Sequence, residues 1–280
     1  MPIITSLTIY PIKSCAGIAL EEATLTPAGL RHQHTNDREW MVVDSTGHFL
    51  TQREHPQMAL IVPALHPDGM RLTAPGVAAL DIPLNAPTST KLTVVVWEDS
   101  VQAQDSNDSI AEWFSGVIGI PCRLVRFDPA SKRLASKKWT GEREVPTLFC
   151  DGFPMLLASQ ASLDDVNQKL LSQGRAVLPM DRFRPNIGIE GIEAFEEDFA
   201  EAFSTDKVRL QPVKPCPRCP MPSIDQATGK FGPDPMDILQ TYRANPKVDG
   251  GITFGMNIIL LEGDGEVLRI GQEIAMELAF

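Results

Sequence analysis

The segment Ile3–Ile12, with the sequence IITSLTIYPI, is rich in β-branched residues and ends beside a proline. Such a segment is typical of a β-strand. Short segments of the same kind follow it along the first part of the chain, with turn residues between them: Ala19–Thr26, Glu39–Asp44, Met58–Val62 and Leu92–Val96. This spacing predicts an all-β or barrel-like first part.

A helix is predicted near the end of this part, over Ser106–Gly119. Asn107 is suited to begin it, its apolar residues fall on one face, and Gly119 is suited to end it. Strand character then resumes over Cys122–Phe127, before a polar stretch that is rich in turn residues. We therefore predict two domains, residues 1–125 and residues 126–280.

The second part mixes strands with helices. An apolar strand over Met155–Ala158 leads to a helix that we predict to open at Ser162, because Ser162 and Asp165 form a capping-box pattern. A third helix is predicted over Asp234–Arg243, with Asp234 as its N-cap and Pro235 at its first position. Closing strands are predicted over 252–262 and 273–278. The fold class is therefore α+β, dominated by strands.

Composition limits the function. The chain has 280 residues, a net charge of −11 and 43% hydrophobic residues, so nucleic acid and anionic membranes are not expected partners. No segment approaches the roughly 20 apolar residues that a membrane span needs, and Met1–Ser14 lacks a signal-peptide pattern. Five cysteines in a chain of this length fit a reducing compartment. We expect a cytoplasmic protein.

The most reactive segment is 214–229, with the sequence KPCPRCPMPSIDQATG. Its four prolines predict a stiff extended segment that is neither helix nor interior strand. Lys214 and Arg218 flank Cys216 and would favour a thiolate, as a nucleophile or metal ligand requires. The pair Cys216 and Cys219 is consistent with four interpretations: a zinc site, a thioredoxin-type dithiol, a single thiolate on a metal held by an organic cofactor, or two buried cysteines that only pack in the core.

The sequence argues against two of these interpretations, the zinc site and the thioredoxin-type dithiol. Zinc needs two more ligands, and the other cysteines are scattered. A dithiol of the thioredoxin type opens a helix, which Pro220 and Pro222 prevent.

All five histidines lie in the first quarter of the chain, so a hydrolase would have to take its base from the other domain. Neither a dinucleotide-binding glycine motif nor a P-loop is present.

In an acidic chain, basic residues in stiff or turn-rich motifs can mark a local anion site, although each of them taken alone is equally typical of a solvated surface charge. The Ser159–Ser162 turn at a helix start suits a phosphate, although an ordinary N-cap has the same pattern. The motif Phe183-Arg184-Pro185-Asn186 combines a bidentate anion binder with a fixed turn. The basic residues that stand in stiff or turn-rich motifs are Lys13, Arg38, Arg53, Arg184, Lys214 and Arg218.

An ordered set of motifs resembles the MOSC-domain family with an N-terminal MOSC β-barrel domain, which includes the mitochondrial amidoxime-reducing components and bacterial relatives. The matching segments are Tyr10-Pro11-Ile12-Lys13-Ser14-Cys15-x-Gly17, Asp37-Arg38-x-Trp40 with Thr51-Gln52-Arg53, Phe183-Arg184-Pro185-Asn186, Cys216-x-Arg218-Cys219 with Asp225-x-x-Thr228-Gly229, and Ile270-Gly271-Gln272-Glu273-Ile274. The resemblance covers essentially the whole chain and implies a MOSC β-barrel domain packed against an N-terminal β-barrel-like domain.

The resemblance also implies site residues. Cys219 would be the thiolate ligand of molybdenum and the catalytic residue, beside two sulfurs from the pterin of the molybdenum cofactor. The residues that would hold the cofactor and its phosphate are Lys13, Ser14, Arg38, Arg184, Asn186 and Arg218, with Ser159 and Ser162 assisting. Cys216 would support Cys219, Asp225 and Thr228 would fix the turn beneath it, and Arg53 would support the core or line the substrate pocket.

The activity that the resemblance implies is reduction of N-hydroxylated compounds: hydroxylamines, amidoximes and N-hydroxylated bases. Because the chain ends at Phe280 without a ferredoxin-like domain, we expect electrons from a separate protein of the flavin reductase, cytochrome or ferredoxin type. It also lacks the N-terminal anchor of the mitochondrial members. At the level of the whole family, the resemblance also implies pyridoxal phosphate binding. The alternatives are a sulfur carrier with a cysteine persulfide and a cofactor-binding protein without turnover.

Overall fold

The computed structural model describes residues 1–84 and 90–279. Strands dominate these residues, as predicted. They are β1 (Ile3–Ile9), β2 (Ile18–Leu20), β3 (Glu22–Thr26), β4 (Gly29–His32), β5 (Thr35–Asn36), β6 (Trp40–Asp44), β7 (Val62–His66), β8 (Gly69–Thr73), β9 (Leu80–Pro83), β10 (Lys91–Val96), β11 (Asp99–Asp105), β12 (Cys122–Phe127), β13 (Met155–Ser159), β14 (Ile187–Glu190), β15 (Ala200–Ser204), β16 (Arg209–Pro217), β17 (Ala244–Asn245), β18 (Gly251–Glu262), β19 (Val267–Arg269) and β20 (Ala275–Leu278).

The α-helices of the described residues are short. They are α1 (Asp108–Ile118), α2 (Lys137–Thr140), α3 (Gln160–Ser172) and α4 (Met236–Gln240). Single turns of 3₁₀-helix lie at Pro56–Leu60, Met180–Arg182, Glu196–Phe199, Met221–Ser223 and Pro246–Val248. The α+β, strand-dominated fold class is therefore confirmed.

The largest sheet joins both ends of the chain. Its order is β2-β1-β14-β13-β18-β16-β15-β20, and β17 also pairs with β18. β1 lies between β2 and β14 and is antiparallel to both. In a second sheet, β19 pairs with β3, beside β4 and β5. The two halves of the sequence therefore interleave, and the predicted boundary at residues 125 and 126 stays a proposal.

Two smaller sheets complete the first half, with orders β10-β11-β12-β6 and β7-β8-β9. Helix α1 begins as predicted, because the Asn107 side chain accepts a hydrogen bond from the Ile110 amide, and it ends at Gly119, whose φ is 86°. Its buried face, including Phe114, packs in one cluster with Trp40 and Leu124. Burial of this apolar face is what stabilises so short a helix.

Several predicted elements differ from the structure. The predicted strand Met58–Val62 is wrong: most of it is the 3₁₀ turn Pro56–Leu60, because Pro56 fixes a helical φ and the turn buries Met58 and Ala59. The predicted strand Ala19–Thr26 is two strands, β2 and β3, which are separated at Glu21.

Helix α3 begins earlier than predicted. β13 runs to Ser159, and the Ser159 hydroxyl accepts from the Ser162 amide at 3.1 Å, so Ser159 is the N-cap and Ser162 lies within the helix. Helix α4 is shorter than predicted, and Pro235 rather than Asp234 is its N-cap; the Asp234 carboxylate still accepts from the Met236 amide at 2.9 Å. The first turn of each helix is thus shifted from the position that the sequence pattern indicated.

The proline-rich cysteine segment begins inside a strand. Residues 214–217 are the end of β16, where the paired neighbour among the described residues is β18 alone, since pairing with β15 stops at Leu210. Register shifts accompany Pro212 and Pro215. A proline cannot donate to a neighbouring strand, so a one-sided, irregular strand end accommodates these prolines. The cysteine pair is therefore presented where the regular strand stops.

Candidate functional site

A cavity of about 420 Å³ is lined by residues from both halves of the chain. It opens where the end of β16 meets loops of the first half and the loop before β13. The structure brings most of the predicted site residues to it: Lys13, Ser14, Arg38, Arg53, Arg184, Asn186, Cys216, Arg218 and Cys219. Lys214 lines it as well.

The cavity is strongly basic in an acidic protein. Six of its lining residues are basic, and among the described lining residues Asp151 carries the single carboxylate. The chain as a whole has a net charge of −11. Cations that converge on one cavity create a local positive potential, which attracts and holds an anion. The ligand that fits this cavity is therefore anionic.

Backbone strain is concentrated around the cavity. Eight non-glycine residues in the described chain have a left-handed φ, and four of them line this cavity: Ser14 at 65°, Arg38 at 48°, Trp97 at 56° and Arg184 at 55°. Such a conformation costs on the order of 1–3 kcal/mol and persists where surrounding contacts enforce it, commonly at functional sites. The clustering supports a functional role for this cavity.

Asn186 ties Arg38 to the protein core. Its Oδ1 accepts from Arg38 Nη1 and from the Leu156 amide, both at 3.1 Å. Its Nδ2 donates to Asp37 Oδ1 at 3.0 Å and to the Thr8 carbonyl at 3.1 Å. Asp37 also accepts from Arg38 Nη1 at 2.6 Å. The Asn186 amide is thus used within the protein, and its role in the site is to orient the Arg38 guanidinium.

Arg184 meets Arg38 at one aromatic ring. The guanidinium carbons of Arg38 and Arg184 lie 4.3 and 4.1 Å from the centroid of the Tyr10 ring. Arg184 donates to the Cys15 carbonyl at 2.7 Å and to Gln226 Oε1 at 3.1 Å. Burial lowers the pKa of Arg184, and the nearby Arg38 lowers it further. An anion between the two guanidiniums would relieve this repulsion.

Lys13 is already paired. Its ammonium donates to the Phe149 carbonyl at 2.9 Å and to the Asp151 carboxylate. The same carboxylate accepts from Trp97 Nε1 at 3.0 Å. Burial lowers the pKa of Lys13, and Asp151 opposes that shift. Lys13 therefore fixes the 149–151 loop on the cavity wall as well as contributing charge.

Arg218 joins the cysteine segment to the Arg184 turn. It donates through Nη1 to Cys216 Sγ at 3.1 Å and through Nη2 to the Phe183 carbonyl at 2.6 Å. Its Nε is buried without a hydrogen-bond partner in the described chain. A buried donor without a partner is costly, and the two hydrogen bonds to Cys216 and Phe183 hold the guanidinium in this position. Cys216 and Cys219 are both half-buried on the cavity wall.

The structure does not bring Ser159 and Ser162 to the cavity. Both are fully buried, and their hydroxyls donate to the Glu197 carboxylate at 3.0 and 2.7 Å. Burial raises the pKa of Glu197. Because these donors already serve an internal acid, they are not available to a phosphate, and neither serine lines the cavity.

Asp225 and Thr228 also lie outside the cavity lining. Asp225 Oδ1 accepts from the amide and the hydroxyl of Thr228 at 2.8 and 2.9 Å, and its Oδ2 accepts from Arg182 at 2.8 Å. These bonds hold the turn that follows the cysteine segment. Within that turn Gln226 reaches the site: its amide exchanges two hydrogen bonds with Gln52 across the two halves, at 3.1 and 3.0 Å.

The sequence patterns did not single out Tyr10, Trp97, Asp151 and Gln226 as site residues. Tyr10 stands inside a quoted motif, but its role depends on two arginines from distant segments. Trp97 and Asp151 carry no local pattern that would have identified them. Among the described residues, no cluster of three or more His, Cys, Asp or Glu side chains could hold a metal, so a zinc site made of protein ligands alone has no ligand set there.

The described part of the chain contains no helix with the length and apolar character required to traverse a lipid bilayer. A cytoplasmic location stays a prediction.

Comparison with known proteins agrees with this architecture. The family profile described as "MOSC N-terminal beta barrel domain" matches residues 1–121, and the one described as "MOSC domain" matches residues 144–275. The chain is 34% identical over 245 residues to "Mitochondrial amidoxime reducing component 2" of Bos taurus, a match that covers 86% of this chain and 72% of the relative.

Two other relatives are similar over comparable lengths. "Mitochondrial amidoxime-reducing component 1" of Mus musculus is 33% identical over 245 residues, covering 86% of this chain and 71% of the relative. "Mitochondrial amidoxime reducing component 2" of Homo sapiens is 32% identical over 245 residues, covering 86% and 72%. The chain therefore belongs to the MOSC-domain family and combines an N-terminal MOSC β-barrel domain with a MOSC domain.

Proposed function

We propose that this protein is a molybdenum-cofactor-dependent oxidoreductase that reduces N-hydroxylated compounds. The observation that carries the proposal is the basic cavity, in which a cysteine pair faces two strained arginines and a buried guanidinium donor without a partner. The names of the relatives, amidoxime-reducing components, support an N-reductive activity.

The residues present fit the proposed cofactor. A pterin phosphate is a polyanion, and Arg38, Arg184 and Arg218 line the cavity with guanidinium groups that would suit it. Cys219 would hold molybdenum, because soft thiolate sulfur suits a soft transition metal. Ser14 lines the same cavity and has a left-handed φ of 65°.

When bound, the cofactor would supply two-electron chemistry at the N–O bond of the substrate. The overall reaction consumes two electrons and two protons, breaks the N–O bond, and yields water with the amine or amidine. This chain's residues would bind and orient the cofactor: the arginines would hold its anionic end, and the loop that Lys13 fixes contributes Cys150 and Asp151 to the cavity lining. The electrons would come from a separate protein of the flavin reductase, cytochrome or ferredoxin type.

Two cysteine variants test the proposal. We expect Cys219→Ala to lose molybdenum and reduction of benzamidoxime with an artificial electron donor, because the thiolate ligand is gone. Cys216→Ala is the matched control and should retain most of both. Molybdenum is quantified in protein made in a cofactor-competent host. Full activity of Cys219→Ala would refute the ligand assignment, and cofactor-loaded wild type that reduces no N-hydroxylated compound would favour a binding protein without turnover.

One observation favours a second candidate, a sulfur carrier. The Arg218 guanidinium donates to Cys216 Sγ at 3.1 Å rather than to Cys219, and this contact would hold a sulfur atom carried on Cys216. A persulfide on Cys216 would pass its outer sulfur to an acceptor and leave the thiolate behind. Mass spectrometry that finds one extra sulfur atom on Cys216, together with molybdenum-independent sulfur transfer, would support this candidate. A bare thiol under all growth conditions would rule it out.

A further inference from the structure

An unusual residue occupies the tip of the hairpin that connects β10 to β11. Val96 and Asp99 pair, which leaves Trp97 and Glu98 as a two-residue turn. Trp97, the first of the two, has a φ of 56°. A turn with positive φ at its first central position favours glycine, because a side chain there is strained. The bulkiest side chain thus stands where the backbone favours the smallest.

Three contacts hold Trp97 in this conformation. Its Nε1 donates to Asp151 at 3.0 Å, the Arg53 guanidinium carbon lies 4.7 Å from its ring centroid, and the Phe49 ring centroid lies 5.2 Å away. Despite these contacts 42% of Trp97 remains exposed, on the wall of the cavity that contains the cysteine pair. Strain that persists at an exposed residue is not explained by core packing, and it points to a role at the cavity mouth.

We propose that Trp97, stacked with Arg53, is the substrate-selecting surface of this site and favours N-hydroxylated compounds that carry a planar aromatic ring. The inference rests on the proposed function and adds a specificity to it. Indole and guanidinium are both flat, and each stacks on planar π systems with little dependence on the identity of the ring. An aliphatic N-hydroxylated substrate has no aromatic ring to stack and would gain much less from this surface.

The contacts of Arg53 and Asp151 also explain why the hairpin would be rigid enough to distinguish aromatic from aliphatic substrates. Arg53 is itself anchored, since its Nε donates to Thr51 Oγ1 at 3.3 Å. Asp151, which holds the indole N–H, is fixed by Lys13. The orientation of the Trp97 plane is therefore set by both the Thr51 segment and the 149–151 loop, which belong to different halves of the chain. Such a preorganised surface loses little conformational entropy when it binds a planar ligand.

The test compares an aromatic with an aliphatic substrate in the holoenzyme. Trp97→Gly removes the indole at a position where glycine is unstrained, so the variant should fold. We expect KM for benzamidoxime to rise about tenfold, in line with the loss of one stacking contact, and KM for acetamidoxime to change less than about twofold. Trp97→Phe, which keeps a flat ring, should recover most of the benzamidoxime KM. Trp113→Phe, at a tryptophan outside the cavity lining, is the matched control.

A binding measurement separates this inference from the proposed function. Calorimetric titration with the products benzamidine and acetamidine should show a preference for benzamidine in wild type that Trp97→Gly loses. Equal effects of Trp97→Gly on both ligands, or no effect on either, would overturn the inference. If wild-type holoenzyme reduces neither substrate, the proposed function fails, while a benzamidine preference that depends on Trp97 would still support the surface and its absence would still refute it.

Discussion

Asn186 should be the most sensitive polar residue of the site, and replacing it with alanine tests how the arginines are held. The side chain is 2% exposed and makes four hydrogen bonds, two to main-chain groups of Thr8 and Leu156 and two to the charged pair Asp37 and Arg38. Asp37 and Arg38 still form their ion pair in the variant. The stability that is lost therefore comes from the two hydrogen bonds to main-chain groups and from part of the energy of the two bonds to Asp37 and Arg38.

At roughly 1 kcal/mol for each neutral hydrogen bond and somewhat more for bonds to charges, Asn186→Ala should lower the free energy of unfolding by about 3 kcal/mol. For a chain of this size that corresponds to a fall in melting temperature of roughly 6–12 °C. Loosening Arg38 should also lower the molybdenum content of the purified protein. The main-chain amide of Leu156 and the carbonyl of Thr8 would lose their partners inside the protein.

The matched control is Asn257→Ala, at an asparagine that also lines the cavity. Asn257 makes a single side-chain hydrogen bond in the described chain, to the Lys214 carbonyl at 3.2 Å, and is half-buried. Its replacement should cost about 1 kcal/mol or less. Urea and thermal unfolding of the cofactor-free proteins give both values. If Asn257→Ala proves as destabilising as Asn186→Ala, the view of Asn186 as the organiser of the arginines is wrong.

Two further predictions concern supports of the site, and a third concerns the buried acid Glu197 outside it. Gly17→Ala should reduce cofactor retention, because a Cβ there would lie 2.7 Å from Tyr10 Cε1 and displace the ring under both arginines; molybdenum content checks this. Arg133→Met should cost at least about 3 kcal/mol in urea unfolding, since Arg133 donates to three carbonyls of the 148–151 loop; a change below about 1 kcal/mol would contradict it. Burial raises the pKa of Glu197. The protonated Glu197 side chain therefore contributes fully to stability below about pH 4.3, and this contribution is lost as the pH rises through the raised pKa. Because glutamine does not titrate, the melting temperature of Glu197→Gln should fall less than that of wild type over the same pH range.

The sequence could predict which motifs belong to the site because each motif carries its own turn chemistry. Arg184 beside Pro185, and Arg218 between two cysteines, can be recognised from neighbours alone. The same local logic failed at Ser159 and Ser162, where a phosphate cradle and an internal N-cap have identical sequences. What decides between them is Glu197, which the fold brings to the two hydroxyls.

Elements with weak local patterns were also hard to predict. The apolar run Met58–Val62 is too short for periodicity to distinguish a strand from a helical turn. Trp97 had no signal as a site residue, because its importance comes from a backbone angle and from partners at Arg53 and Asp151. The interleaving of β1 with β14 and of β3 with β19 depends on pairing between distant segments, for which a single sequence carries no local rule.

That interleaving has a consequence for biosynthesis. The ribosome releases β1 long before it makes β14, so β1 must wait with one edge unpaired, and unpaired strand edges are prone to misassembly. The cavity walls are complete only when the cysteine segment and β18 have also been translated. If the protein binds the proposed cofactor, loading would therefore follow synthesis of the segments up to β18, and we expect nascent chains arrested before β18 to contain no molybdenum.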